Sequence, residues 1–379
     1  MAWAFNFNFP DELSPKSIKT GTQLCQEASI VMSLGGGFQA YFQQNRDGSI
    51  NNWQMKAMKQ VADFCREREA YCYGAKPIPQ IALLYSSAAF YRCNKNLFGA
   101  MYNELTPLRG VLQALLDTQN SVEIVMEHHL ADHMDEYPLI IIPEWKYLDE
   151  CFKQKLLRYV EKGGNLLLIG PYTAMLFQDE LGIMPTGEVL DHTLQWIAQD
   201  DFLCGVGGAW QSVRVRDDAS VFGTFYANND LNEPTTPSAS IAHFGVGKIA
   251  ATYFNMGTLY EGSATTVVRD YLNTLVHSLF STPIVTVSGS HFVDVVVSTL
   301  DGKLQVHLVN TAGPHANLRV YTYDEVPPVG PITVQIRCKT EPHSIRSMPK
   351  NISMAFAYEN GIATVFVERI ELYDILIIE

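Results

Sequence analysis

The sequence predicts an α/β protein in three parts: two strand–helix units over residues 1–76, a flavodoxin-like parallel sheet over 77–281, and an antiparallel β-sandwich over 282–379. Three observations carry this prediction. Apolar strands alternate with amphipathic helices up to about residue 281, the pattern of a parallel sheet. Several of those strands are apolar almost without a break, as in IALLYSS (81–87) and PLIIIPEW (138–145), which marks strands covered on both faces. Beyond residue 282 the helical spacing stops, and short strands punctuated by Pro, Gly and Asn take over.

Taken in order, WAFNFNF (3–9) alternates with the period of a strand and ends at Pro10. TQLCQEASIVMSL (22–34) has helical spacing, with Leu24, Ala28, Val31 and Met32 near one face, and Gly35, Gly36 and Gly37 stop it. FQAYFQQ (38–44) is a second strand, Arg46-Asp47-Gly48 a turn, and 52–69 a second helix with Trp53, Met58, Val61, Ala62 and Cys65 apolar. Pro77-Ile78-Pro79 reads as a linker. The central part then gives strands at 81–87, 122–126, 138–145 and 165–171, with helices at 108–119 and 147–164 between them. From 185 to 245 the pattern weakens into short strands and loops, followed by a strand at 247–254 and a closing helix at 265–280. In the last part, residues 293–310 form a hairpin around Asp301-Gly302, a dipeptide suited to the tight turns that join antiparallel strands.

Composition excludes some functions. Hydrophobic residues are 47% and charged residues 18%, enough apolar material for globular cores. A net charge of −13 argues against a nucleic-acid surface and against an anionic membrane, and permits a neutral ligand such as a sugar. The 7 cysteines are scattered with no CxxC pair, which suggests neither zinc nor a disulfide framework and fits a cytoplasmic protein. The N-terminus lacks a signal-peptide pattern, and no run reaches the ~20 apolar residues of a membrane span.

Three stretches resemble a known family. QLCQEASIVMSLGGGFQAYFQQNRDGSI is similar to the seventh helix and eighth strand of barrel glycoside hydrolases of the family 42 β-galactosidase and α-L-fucosidase-like type. IPQIALLYSS with LIIIPEWKYLDECFKQKLLRYVEKGGNLLLIGP resembles their amidotransferase-like domain, the trimerisation domain of the β-galactosidases. VHLVNTAGPH with VPPVGPITVQIR resembles their terminal β-domain. The resemblance implies that residues 1–76 are the last two units of a (β/α)8 barrel and that the chain is the C-terminal part of a longer architecture. A complete barrel takes about 250 residues, and glycoside hydrolysis takes two carboxylates flanking the scissile bond. In the resembled enzymes those acids stand on middle barrel strands, so none is expected in this chain.

The resemblance also implies where a sugar would lie. In a complete barrel the strand ends line the sugar pocket, which makes Gln39, Tyr41, Gln43, Asn45 and Arg46 candidates to hydrogen-bond hydroxyls, with Trp3 or Trp53 stacking on a sugar face. Amidotransferase chemistry would need a cysteine on a strand-to-helix elbow. Glu144-Trp145-Lys146 follows the strand instead, Cys93 falls in a polar loop, and Cys151 falls in a helix pattern where a buried thiol is usual. His129 and His133 stand at i and i+4 but lack a third ligand, and no glycine set forms GxGxxG between strand and helix. The expectation is therefore a chain without catalytic residues, metal or cofactor of its own. It would serve assembly and support of a glycosidase as a homo-oligomer, the alternative being a carbohydrate-binding or regulatory module. Residues 1–76, rich in Phe (Phe5, Phe7, Phe9, Phe38, Phe42), are expected to dock on the flavodoxin-like part or on a second copy.

Overall fold

A computed structural model describes residues 2–3, 5–6, 17–42, 44–94, 104–314, 320 and 322–379. The chain divides into two compact units, one of Met1–Ile78 with Ile284–Glu379 and one of Pro79–Pro283.

The N-terminal segment holds β1 (Ala2–Trp3), β2 (Phe5–Asn6), β3 (Ser17–Ile18), α1 (Gly21–Ser33), β4 (Ala40–Tyr41), α2 (Asn52–Cys72) and β5 (Lys76–Pro77). The Thr20 hydroxyl caps α1 by accepting from the Gln23 amide at 3.1 Å. The helix stops at Gly35, whose φ of 78° and closeness to the Ala75 carbonyl (2.1 Å from a built Cβ) admit only glycine. β1 pairs parallel with β4, Ala2 opposite Ala40 and Trp3 opposite Tyr41, as two strand–helix units require. The second strand is shorter among the described residues than the 38–44 expected; it is one half of a 2-stranded sheet, with no further neighbour among the described residues to lengthen the ladder.

The unit of Pro79–Pro283 is built on β6 (Ile81–Tyr85), α3 (Ser87–Cys93), α4 (Thr106–Leu116), β7 (Val122–Met126), α5 (Glu127–His133), β8 (Leu139–Pro143), α6 (Glu150–Glu161), β9 (Asn165–Ile169) and α7 (Pro171–Met175). It continues with β10 (Ile183–Pro185), β11 (Leu190–Gln199), β12 (Phe202–Trp210), β13 (Val213–Val215), β14 (Ala219–Tyr226), β15 (Pro234–Phe244), β16 (Gly247–Thr252), α8 (Met256–Gly262) and α9 (Thr266–Leu279). A 9-stranded sheet runs in the order β12-β11-β14-β15-β16-β9-β8-β6-β7. The strands β7, β6, β8, β9 and β16 are mutually parallel; numbered along the chain they stand 2-1-3-4-5. Every residue of β8 is buried, as its unbroken apolar run predicts.

The sheet is mixed, however, not wholly parallel. The stretch read as short strands and loops contains the long antiparallel strands β11, β12, β14 and β15, which extend the parallel part past β16. Their period was hidden by bulges between Leu190 and Thr193 and between Val221 and Tyr226, each of which shifts the alternation by a residue. Glycines 205, 207 and 208 in β12 carry no side chain to reveal a face. Beside the sheet, α4 lies so close to α8 that a Cβ on Gly110 would stand 1.9 Å from the Gly257 carbonyl oxygen.

The C-terminal part supplies β17 (Val285–Ser288), β18 (Val293–Leu300), β19 (Lys303–Asn310), β20 (Ile332–Arg337), β21 (Ile345–Met348), β22 (Ile352–Ser353), β23 (Phe356–Glu359), β24 (Ile362–Val367) and β25 (Tyr373–Ile378). The hairpin of β18 and β19 turns on Asp301 (φ 51°) and Gly302 (φ 78°), the left-handed pair expected there. Two antiparallel sheets result, β17-β20-β24-β23 and β22-β21-β25-β19-β18-β5. Val334, Ile336 and Val365 of the first share one apolar cluster with Val295, Val306, Leu308 and Leu376 of the second. The supposed linker is part of this unit: Pro77 pairs with Ser298, and the Ile78 amide donates to the Val297 carbonyl at 2.8 Å.

The other face of the larger sheet is covered by the N-terminal helices, a partner that the sequence reading did not name. Val309, Tyr373, Ile375 and Ile377 pack with Met32 of α1 and Cys72 of α2. The Gln26 side-chain amide donates to the carbonyls of Asn310 (2.9 Å) and Ala312 (3.0 Å). Phe38 and Phe42, expected to dock on the flavodoxin-like part or on a second copy, are half-buried against Leu24, Cys25 and Val61; Phe7 and Phe9 lie outside the described residues. A polar chain runs beneath the helices. His307 is flanked by the Ser298 hydroxyl at 2.7 Å and the Tyr373 hydroxyl at 2.6 Å, and the Tyr373 hydroxyl lies 3.2 Å from the Cys72 sulfur. Burial pushes the His307 ring down to about 3, so it is neutral at ordinary pH.

Candidate functional site

In the unit of Pro79–Pro283, a cavity of about 440 Å³ lies at the carboxyl ends of the parallel strands, where open α/β sheets place their ligands. Among its lining side chains is Glu144, the first residue after β8. There the backbone turns left-handed (φ 43°) directly after five buried residues. Several bonds fix this turn. The Glu144 amide donates to the Ile169 carbonyl at 2.8 Å, the Trp145 indole to the Leu84 carbonyl at 2.9 Å, and the Thr173 hydroxyl to the Trp145 carbonyl at 3.0 Å. Gly170, at the end of β9, leaves the room required, since a Cβ there would stand 2.8 Å from Glu144 Cγ.

The start of α8 closes on the same carboxyl: the Thr258 amide donates to Oε1 at 3.0 Å and the Thr258 hydroxyl to Oε2 at 2.6 Å. Asp191 and His192 line the cavity from the bulge of β11, where His192 is also left-handed (φ 55°). Gly208 on β12 (φ 115°) makes way for the Asn255 side-chain amide, 2.7 Å from where its Cβ would be.

The electrostatics single out Glu144. Desolvation pushes its carboxyl from an ordinary 4.5 up to about 7, against the opposing pull of the Thr258 hydrogen bonds and the Lys146 charge. The Lys146 ammonium stands 4.1 Å over the Tyr172 ring, so it is held at the cavity wall. Asn255 Oδ1 is buried without a hydrogen-bond partner. Such an acceptor costs about 1–3 kcal/mol unless something donates to it. A strained backbone, a carboxyl that titrates near neutrality and an unsatisfied acceptor therefore meet in one cavity. The arrangement can hold a small polar molecule and keep or pass a proton near neutral pH.

The residues singled out from sequence lie elsewhere, in the unit containing the N-terminal segment. Trp3 and Tyr41 are opposite each other in the β1–β4 pair. Gln39, Tyr41 and Arg46 are exposed. Asn45 is engaged in its own turn, its amide group donating to the Ser49 hydroxyl at 3.0 Å and to the Asn51 side chain at 3.4 Å. Gln43 lies outside the described residues. Trp53 is exposed on α2.

His129 and His133 are both exposed on α5, and His133 sits 2.7 Å from Glu136. Among the described residues no three His, Cys, Asp or Glu side chains gather as metal ligands. Cys151 is exposed in the first turn of α6 rather than buried, because the Asp149 cap begins the helix there. Cys93 ends α3 and is exposed. Residues 144–149 form a loop between β8 and α6, with the left-handed Glu144 at its start and no cysteine on it. A carboxyl directly after a fully apolar strand was the available signal; His192 and Asn255 had none.

No protein-family model matches this sequence, and no curated protein matches it. Solved structures do. An α-L-fucosidase isoenzyme from Paenibacillus thiaminolyticus superposes with a TM-score of 0.80 at 15% identity, over 96% of this chain and 58% of that one. A GH42 β-galactosidase from G. stearothermophilus gives 0.66 at 13% identity, over 97% of this chain and 52% of that one. A β-galactosidase from Bacillus circulans sp. alkalophilus gives 0.65 at 12% identity, over 96% and 53%. This chain thus spans little more than half the length of the enzymes it matches, and the resemblance read from its three sequence stretches is borne out at the level of fold. The chain has a glycoside hydrolase-like fold, similar to that of an α-L-fucosidase and of GH42 β-galactosidases.

Proposed function

We propose that this chain is the assembly-and-support portion of a glycoside hydrolase acting in carbohydrate metabolism, and that the two catalytic carboxylates are supplied from outside it. The observation that carries this reading is the likeness to the α-L-fucosidase over 96% of this chain and 58% of that enzyme. In this reading Pro79–Pro283 is a flavodoxin-like domain of the trimerisation kind, supported by the 2-1-3-4-5 order of its parallel strands. The two antiparallel sheets are its terminal β-sandwich, and β1, α1, β4 and α2 are the closing units of a β/α barrel. The polar side chains at the end of those units, Gln39, Tyr41, Gln43, Asn45 and Arg46 with Trp3, are the part of a sugar pocket this chain contributes.

No helix among the described residues is long and apolar enough to cross a membrane. The cysteines are all free, which supports a reducing, cytoplasmic location. Sedimentation velocity of the full chain tests the assembly role: a homo-oligomer is expected, and a monomer at tens of micromolar would overturn it. A second reading, a carbohydrate-binding module, is favoured by the exposed rings of Tyr41 and Trp53, 38% and 53% accessible. Retention of the full chain on a glycan array, lost in Trp53→Ala, would select it over the first.

A further inference from the structure

We propose that the cavity at the carboxyl ends of β8, β9 and β16 is a binding site for a small, neutral, polyhydroxylated molecule of monosaccharide size. The backbone provides the first argument. Of the described non-glycine residues with left-handed φ, Asp200, Asp301, Asn351 and Asn360 turn hairpins and Gln119 follows the end of α4. His192 stands in the bulge of β11 and Glu144 in none of these settings, and both line this cavity. Each such conformation costs about 1–3 kcal/mol and persists where the surroundings fix it, most often at binding sites.

The second argument is the Asn255 Oδ1 acceptor, buried with no donor. It calls for a ligand hydroxyl or amine. Charge balance decides between these. The wall carries Lys146 and His192 beside Asp191 and Glu144, whose carboxyl burial pushes up to about 7. An anion would face Asp191 and Glu144, and an organic cation would face Lys146, so a neutral molecule fits both sides. Hydroxyls both donate and accept, which suits Asn255 and Asp191 as acceptors opposite Lys146 and Tyr172 as donors. Pro107, Pro171 and Leu259 supply apolar wall for C–H faces, and 440 Å³ lies within the usual range of small-molecule pockets. The rigidly bonded turn at Glu144 means that the site is formed before the ligand arrives.

The inference stands whether or not the chain supports a barrel. Isothermal titration calorimetry of the full chain, with D-galactose, L-fucose, D-glucose and myo-inositol as probes and choline and inorganic phosphate as charged controls, tests it. At least one of the four neutral probes should bind at one site per chain with millimolar or tighter affinity. A Cβ on Gly207, which lines the cavity, would meet nothing within 4 Å, so Gly207→Leu places bulk in open space. It should weaken binding at least about tenfold, or ~1.4 kcal/mol, with the melting temperature held. Asn255→Ala should weaken the same binding and decides the matter alone if Gly207→Leu does not fold. The proposal is overturned if no neutral probe binds, if only choline or phosphate binds, or if binding survives the substitutions undiminished.

Discussion

Glu144→Gln replaces a titrating carboxyl with an amide of nearly the same shape, and its effect on stability can be worked from the structure. Burial holds the carboxyl at about 7, above its ordinary 4.5, so the fold favours the protonated form. The stability linked to this group is therefore complete below about pH 4.5 and is lost as pH rises through 7. With those two values, ionisation of Glu144 costs the folded state about 1 kcal/mol at pH 5 and about 3 kcal/mol at pH 8. The Gln variant escapes this cost. It also trades its bonds to Thr258, but that change does not depend on pH. Urea unfolding of both proteins at the two pH values isolates this effect: the stability of the variant relative to the native chain should rise by about 2 kcal/mol from pH 5 to pH 8. A difference that stays flat, or falls, would show that the Glu144 carboxyl is solvated and would remove the electrostatic argument for the cavity.

Three further outcomes are expected. His307 is held at about 3, below its ordinary 6.5, so its stability term is complete above pH 6.5 and is lost as pH falls toward 3. Between pH 7.5 and pH 5 the native chain should lose about 2 kcal/mol relative to His307→Gln, and equal losses in urea melts would contradict the desolvated ring. Gly110→Ala should cost about 3 kcal/mol or more, because its Cβ would stand 1.9 Å from the Gly257 carbonyl oxygen, whereas Gly302→Ala, left-handed but in open space, should cost about 1 kcal/mol. Thermal melts that rank the two the other way would refute the close approach of α4 and α8. Ile375→Ala empties a fully buried position under α1 and α2 and should cost about 2–5 kcal/mol. It should also speed proteolysis within residues 18–78, and unchanged cleavage there would mean the helices are held by other contacts.

The sequence disclosed most where a single physical requirement dominates. Leu139–Pro143 and Asn165–Ile169 read as parallel strands because both their faces are covered, and Asp301-Gly302 reads as a hairpin because few other pairs adopt two left-handed residues in a row. The antiparallel strands β11 to β15 were obscured because their faces are half-exposed and their bulges break the period. The apolar run ILII in β25 was legible as a strand, yet nothing local told that one face meets a β-sheet core and the other meets α1 and α2. That docking joins residues as far apart as Gln26 and Asn310, 284 positions along the chain, beyond any periodicity argument. The candidate site was the least legible. The left-handed turns at Glu144 and His192 and the unpaired oxygen of Asn255 arise from tertiary packing, and only the carboxyl after an apolar strand left a trace in the sequence.

The central proposal is that this chain, glycoside hydrolase-like in fold, depends on carboxylates supplied from outside it to cleave the bond. The most direct measurement is the rate at which the purified full chain hydrolyses nitrophenyl β-galactoside and nitrophenyl α-fucoside. The account predicts the rate of buffer alone for both. Turnover near the ~10 per second typical of enzymes, abolished by substituting one carboxylate of this chain, would contradict it.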